Sequence, residues 1–240
     1  MDLKTRGPEE NQEPLTAANL IRWSGLAALA AGLIFVAIQP IHPEDVLASV
    51  TTPVWALIMP VKLAMSLLFL VGITGIYARQ VKEAGRVGLA GYLLFSLSWT
   101  LQMAFIFIET FSLPSLATIA PQYVESFLGI VNGAPGAVDV GAVAAAYNVA
   151  GITYVLGGLL LGIATVRARV LPRWPALLFA VAAASTPLAA VLPHPLNRSL
   201  AVPMGLSLAW LGYALWAERR GQQQPATPAW SVTGSAATKA

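Results

Sequence analysis

Six apolar runs, each near the length of a bilayer-crossing helix, constrain this chain more than any other feature. They fall at about 22–41, 54–78, 87–110, 142–166, 174–193 and 199–217 of 240 residues. A hydrocarbon layer of roughly 30 Å needs roughly 20 apolar residues in helical form. Only 10% of the residues are charged, against roughly a quarter in soluble domains. So few charges cannot cover a globule of this size with polar surface, and most of the outside must face lipid. The expectation is an all-α, polytopic membrane bundle of six transmembrane helices, occupying residues 18–220, with the lipid bilayer as its first partner.

The connections between the runs alternate in character. "RQVKEAGR" (79–86) and "RARVLPR" (167–173) are short and basic, whereas "HPED…TTP", the long 113–141 segment and "PHPLNR" are not. Of 14 lysines and arginines, 12 fall on one side under this arrangement, and only Lys62 and Arg198 fall elsewhere. The positive-inside rule then places both termini in the cytoplasm, with the chain multi-pass in the cytoplasmic (inner) membrane. The same dispersed cations give a net charge of +3 without the basic face that nucleic acid requires, so no nucleic-acid partner is expected. A polar stretch precedes a first run long enough to span, which argues against a cleaved signal peptide. Residues 1–17 and 221–240, rich in polar residues and proline, are expected to be disordered cytoplasmic segments.

The inner ends of the even helices read "LVGITGIYAR", "LLGIATVRAR" and "WLGYALWAER", pairing Gly72 with Arg79, Gly162 with Arg169 and Gly212 with Arg219. Matching arginines, Arg22, Arg86 and Arg173, open the odd helices. Three repeated helical hairpins would produce this pattern; so would an independent demand for glycine in the bundle and arginine at each inner end. With its first helix ending in His-Pro, its second in "GIYARQ" and its third opening "GRVGLAGYLLF", the chain resembles uncharacterised six-helix bacterial integral membrane proteins of the domain-of-unknown-function type. The likeness covers most of residues 20–218. It implies a polytopic membrane fold and brings no activity, cofactor or catalytic residue with it.

Familiar chemistry is absent. There are no cysteines, which removes thiolate, disulfide and iron–sulfur chemistry. No phosphate-binding glycine loop, "HExxH" helix or "GxSxG" elbow is present. Neither a cofactor nor a metal is expected.

The polar residues within the apolar runs are therefore the candidates. The only two histidines, His42 and His194, each precede a proline and end the first and fifth runs on the outer side. Glu109 ends the third run on the same side. Lys62 lies nine residues past Pro53, roughly 13 Å deep if the helix starts there, or at the interface if it starts at Pro60. Tyr147, Asn148 and the mid-helix Trp99 complete a candidate ligand-binding set of His42, Lys62, Trp99, Glu109, Tyr147, Asn148 and His194. His-Pro is also ordinary helix-stop chemistry, and a Lys62 that snorkels to the headgroups is the alternative reading. The sharper expectation pairs Lys62 with Glu109, because ionisable residues inside apolar spans generally find partners or line cavities.

In "PQYVESFLGIVN", Tyr123, Val124, Phe127, Leu128 and Val131 share one helical face, so this segment is expected to lie as a cap over the site, with "NGAPG" as a flexible break. The favoured function is binding or carrying a small molecule in an outward-facing polar pocket whose histidines titrate near pH 6.5. The alternatives are a membrane-embedded enzyme using Glu109 and a histidine as acid and base on a hydrophobic, lipid-like or isoprenoid-like substrate, with Glu109, His42 and His194 as catalytic candidates, and a structural or assembly subunit. Gly158 and Gly162, four apart, offer a close-packing face for the first helix or for a second copy in a homo-oligomer.

Overall fold

The computed structural model describes residues 16–134, 136–193 and 196–221, with the backbone alone at 218–221. The segments expected to be disordered lie outside these residues except at Thr16, Ala17 and Gly221. Among the described residues every regular element is helical: α1 (Ala17–Ile38), α2 (Leu47–Val50), α3 (Pro53–Arg79), α4 (Val81–Phe111), α5 (Leu113–Ile119), α6 (Pro121–Val131), α7 (Val143–Ala168), α8 (Arg173–Ser185), α9 (Leu196–Ser199) and α10 (Val202–Gly221). Six stretches are long and apolar enough to cross a membrane: Ala17–Ile41, Pro53–Arg79, Val81–Phe111, Val143–Ala168, Arg173–Val191 and Leu196–Ala217. The chain is a multi-pass membrane protein of the expected six-helix class. Leu33, Leu67, Leu93, Ile152, Val181 and Leu206, one from each span, are exposed, as lipid-facing residues should be.

Local chemistry sets the ends of the spans. The Thr16 hydroxyl caps α1 by accepting from the Asn19 N–H (3.1 Å). Thr52 does the same for α3 through Trp55 N–H (3.3 Å), with Pro53 at the first helical position. That helix runs unbroken through Pro60, which places Lys62 inside the span and not at the interface. Gly85, at φ 58° and ψ −157°, breaks the helical path near the start of α4, so the straight part of the third span begins close to the expected residue 87. The Ser185-Thr186-Pro187 step ends α8 in a 3-10 turn, Thr186–Val191, because proline has no N–H to offer and crowds the carbonyl four residues back.

Each span packs on its neighbours in sequence, and α10 returns to α1, so the six spans form a closed ring. Short connections at the basic end favour this up-and-down order. Small residues bring the backbones close. A Cβ placed on Gly32 would lie 2.5 Å from the Ala209 nitrogen of α10, and one on Gly25 would lie 2.9 Å from the Gly212 carbonyl. The ring is filled at its centre by aromatic rings from five spans, Phe35, Phe69, Phe95 with Trp99, Tyr154 and Phe179. Phe69 stacks on Trp99 with centroids 3.8 Å apart.

The close-packing glycines meet different neighbours. Gly158 and Gly162 face Ala183 and Ala180 of α8, at 2.6 and 2.7 Å from a hypothetical Cβ, so α8, and not α1, lies against that face. The three glycines of the supposed hairpin repeat are not equivalent either. Gly72 meets Ala28 of the preceding span, Gly162 meets the following span, and Gly212 meets Gly25 and Leu29 of the first.

Candidate functional site

At the end of the ring opposite the arginine-rich connections, the capped start of α3 is locked to the end of α4. The Trp55 indole N–H donates to the main-chain carbonyl of Glu109 (3.0 Å). About two helical turns further along α3, a second side chain reaches the same residue: Lys62 Nζ donates to Glu109 Oε2 at 3.2 Å, with 14% and 6% of the two side chains exposed. The expected pair is formed, across the expected helices.

A second ion pair lies beside it. Arg198, from α9, donates to Asp45 Oδ2 at 2.5 Å. Asp45 precedes α2, and its main-chain carbonyl also accepts from the Asn132 amide (2.9 Å). Asp45 therefore ties together the three connections at this end: the one after α1, the one before α10, and the long segment carrying α6. The charges of Asp45 and Arg198 also reach Glu109 and Tyr147, so the two pairs form one cluster. Sequence reasoning passed over Asp45 and Arg198 as site residues. The available signal was the charge count itself, because Lys62 and Arg198 were the two cations on the wrong side and each needed an acid.

His42 follows the 3-10 turn Gln39–Ile41 and is 5% exposed. Its Nδ1 lies 2.7 Å from the Pro43 carbonyl. A carbonyl only accepts, so Nδ1 carries the proton and Nε2 presents a bare lone pair. Burial, followed by the positive charges of Lys62 and Arg198, pushes the imidazole down from 6.5 to about 3, against the opposing pull of Asp45 and the Pro43 carbonyl. The expected titration near pH 6.5 does not hold for His42, which is a neutral donor–acceptor across the physiological range.

The remaining candidates divide. Tyr147 is half-buried, its ring edge-on to Phe105 (5.6 Å) at the rim of the cluster. Asn148, one residue on, is exposed, since consecutive helical positions point about 100° apart. Trp99 belongs to the central aromatic core and not to the polar cluster. His194 lies outside the described residues.

The expected cap is a helix. In α6, Val124, Phe127 and Leu128 are buried, with Phe127 packed on Phe105 of α4 (6.2 Å). Ser126 is buried on the same element; its hydroxyl donates to the Gln122 carbonyl and accepts from the Val138 N–H (3.0 Å). The stretch expected to be a flexible break is pinned by the Ala134 N–H to the Gly129 carbonyl (2.8 Å) and by Asn132 to Asp45.

Three buried polar atoms at this end have no hydrogen-bond partner among the described residues: His42 Nε2, Asn197 Oδ1 and Arg198 Nε. Asn197 and Arg198 sit on α9, which packs against the 3-10 turn that leads into His42. Two acceptors and one donor are thus left unused within a cluster whose four ionised groups are already paired. Among the described residues no group of three or more His, Asp or Glu is arranged to hold a metal ion. No family model, curated protein or solved structure matches this chain, so its function must be argued from the chemistry of the site.

Proposed function

We propose that the chain binds a small polar molecule at this cluster, which opens to the outside of a bacterial inner membrane when both termini lie in the cytoplasm. The observation that carries this reading is the set of unpartnered atoms, His42 Nε2, Asn197 Oδ1 and Arg198 Nε, beside two ion pairs. A buried polar group without a partner costs roughly 1–3 kcal/mol, and charges in apolar spans are expensive to hold. Retaining both together in one place favours a site over a purely structural end. A ligand with two donor hydrogens and an acceptor oxygen, such as a diol or a primary amide, would complete the set. Its two donor hydrogens would go to His42 and Asn197, and its oxygen would take the Arg198 N–H.

Binding is favoured over carriage because the middle of the ring is filled. Thr153 donates to the Val149 carbonyl of its own helix, and the stacked Phe69–Trp99 pair occupies the axis. The acid–base enzyme reading is weaker because the Glu109 carboxylate is already engaged by Lys62.

The test is identification by mass spectrometry of small molecules released from protein purified in mild detergent, wild type against His42→Asn and Arg198→Gln. A polar compound is expected in wild type and depleted in both variants at matched folding. An identical set of released compounds from all three proteins would refute the reading.

A further inference from the structure

At the other end of the ring, the turn between α7 and α8 encloses an open hollow of about 870 Å³ lined by Val166, Arg167, Arg169, Leu171 and Arg173. The turn is short and fixed. Arg169 closes α7 in the left-handed region (φ 53°, ψ 23°), the only non-glycine residue with positive φ among the described residues and a conformation disfavoured when a Cβ is present. Leu171 is buried and anchors the turn, and Pro172 sets the entry to α8. Three guanidinium groups are thus carried by a rigid turn around one concavity, not by a loose basic loop. The first turn of α8 has no side-chain cap, so its free N–H groups add partial positive charge on the same side.

This hollow lies at a membrane boundary. Arg173 stacks over the exposed Trp174 (5.3 Å), and at the same end of the bundle Arg22 lies over Trp216 (6.0 Å). Tryptophan concentrates at the headgroup level. We propose that the hollow binds the phosphate-bearing headgroup of an anionic lipid in the leaflet facing the basic end, with Arg167, Arg169 and Arg173 as its ligands. Guanidinium forks match phosphate oxygens in pairs, and basic pockets at this depth are suited to acidic headgroups. The site is separate from the polar cluster and does not depend on it.

The experiment uses the full chain in neutral detergent, with its melting midpoint and the number of retained lipids counted by native mass spectrometry. The additives are phosphatidylglycerol, phosphatidylcholine with the same acyl chains, and free glycerol phosphate. Phosphatidylglycerol is expected to raise the midpoint and stay bound; the other two are not. Arg167→Gln with Arg173→Gln should lose about half or more of that effect, and Arg167→Gln alone should lose a smaller part, which covers the case of a double variant that does not fold. Lys82→Gln with Arg86→Gln removes the same charge from the other basic connection, where both residues are exposed, and should keep the full effect. An undiminished phosphatidylglycerol effect in the Arg167 variants would overturn the proposal, as would equal loss in the two double variants. A full effect of glycerol phosphate would overturn the lipid assignment in favour of a soluble anion.

Discussion

His42 should make this protein acid-sensitive in a window set by its burial. The imidazole is held neutral, pushed from 6.5 to about 3, while in the unfolded chain it titrates normally. The unfolded state therefore binds the extra proton between those two values, and stability falls as pH drops from about 6.5 toward about 3. Above 6.5 both states are neutral and His42 contributes no slope. Each pH unit inside the window carries about 1.36 kcal/mol, so the 3.5-unit gap sets a ceiling of about 5 kcal/mol, and pH 5 reaches about 2 kcal/mol. For a chain of this size that is on the order of 5 °C in melting midpoint. The comparison that isolates the effect is His42→Asn, whose amide can still donate to the Pro43 carbonyl but cannot titrate. Midpoints in detergent should be measured from pH 8 to pH 4 for both proteins. Other carboxylates contribute equally to each, so the difference between the curves should be flat above pH 6.5 and should move in favour of the variant below it. Parallel curves down to pH 4 would mean that His42 is solvated, and would remove the physical basis for its fixed tautomer.

Lys62→Ala should destabilise the protein by about 3 kcal/mol, the lower end for breaking a buried pair because Lys62 retains some exposure; adding Glu109→Ala should recover part of this, and purely additive losses in a denaturation cycle would show that the pair is not coupled. Gly158→Leu should lower the melting midpoint by an amount corresponding to about 1–3 kcal/mol, since its new side chain would run into Ala183 in a packed interface; an unchanged midpoint would contradict the α7–α8 packing. Because the chain has no cysteine, single cysteines at the exposed Glu125 and Glu83 should react with an impermeant reagent from opposite sides of the membrane, Glu125 from outside. Reaction of both from one side would contradict the proposed topology; Ser126, on the buried face of α6, would be a poor choice for the label.

The spans were legible because bilayer thickness leaves a coarse signal that needs no tertiary knowledge. Their ends moved by only a few residues, and where they moved the cause was local, as at Gly85, whose positive φ interrupts a helix that composition alone cannot divide. Helix partners were not legible. Gly158 and Gly162 announce a close approach but not to what, and the spacing shared by Gly72, Gly162 and Gly212 hid three different contacts. Glycine spacing records only that a surface is smooth; which neighbour uses it depends on rotations of the helices that no short motif encodes. Trp99 shows the same limit. A mid-span tryptophan signals an interior position, and the interior here is an aromatic core, with the polar site some ten residues further along the same helix.

The site itself was half legible, and the half that was missed follows from the same electrostatics as the half that was found. Lys62 and Glu109 were paired on the argument that an ionisable group inside an apolar run must be compensated. Applied to Arg198, the other cation outside the basic end, that argument demands an acid on a neighbouring connection, and Asp45 supplies it. The two exceptions to the charge asymmetry are thus both neutralised at one end, in adjacent pairs that join α3 to α4 and the loop after α1 to α9. Neither pair adds much net stability relative to a well-packed apolar core of the same volume, which was the cheaper solution for a purely structural end. Both pairs are charge-balanced beside His42, whose Nε2 has no partner, which is the setting that the proposed binding of an uncharged donor–acceptor ligand requires.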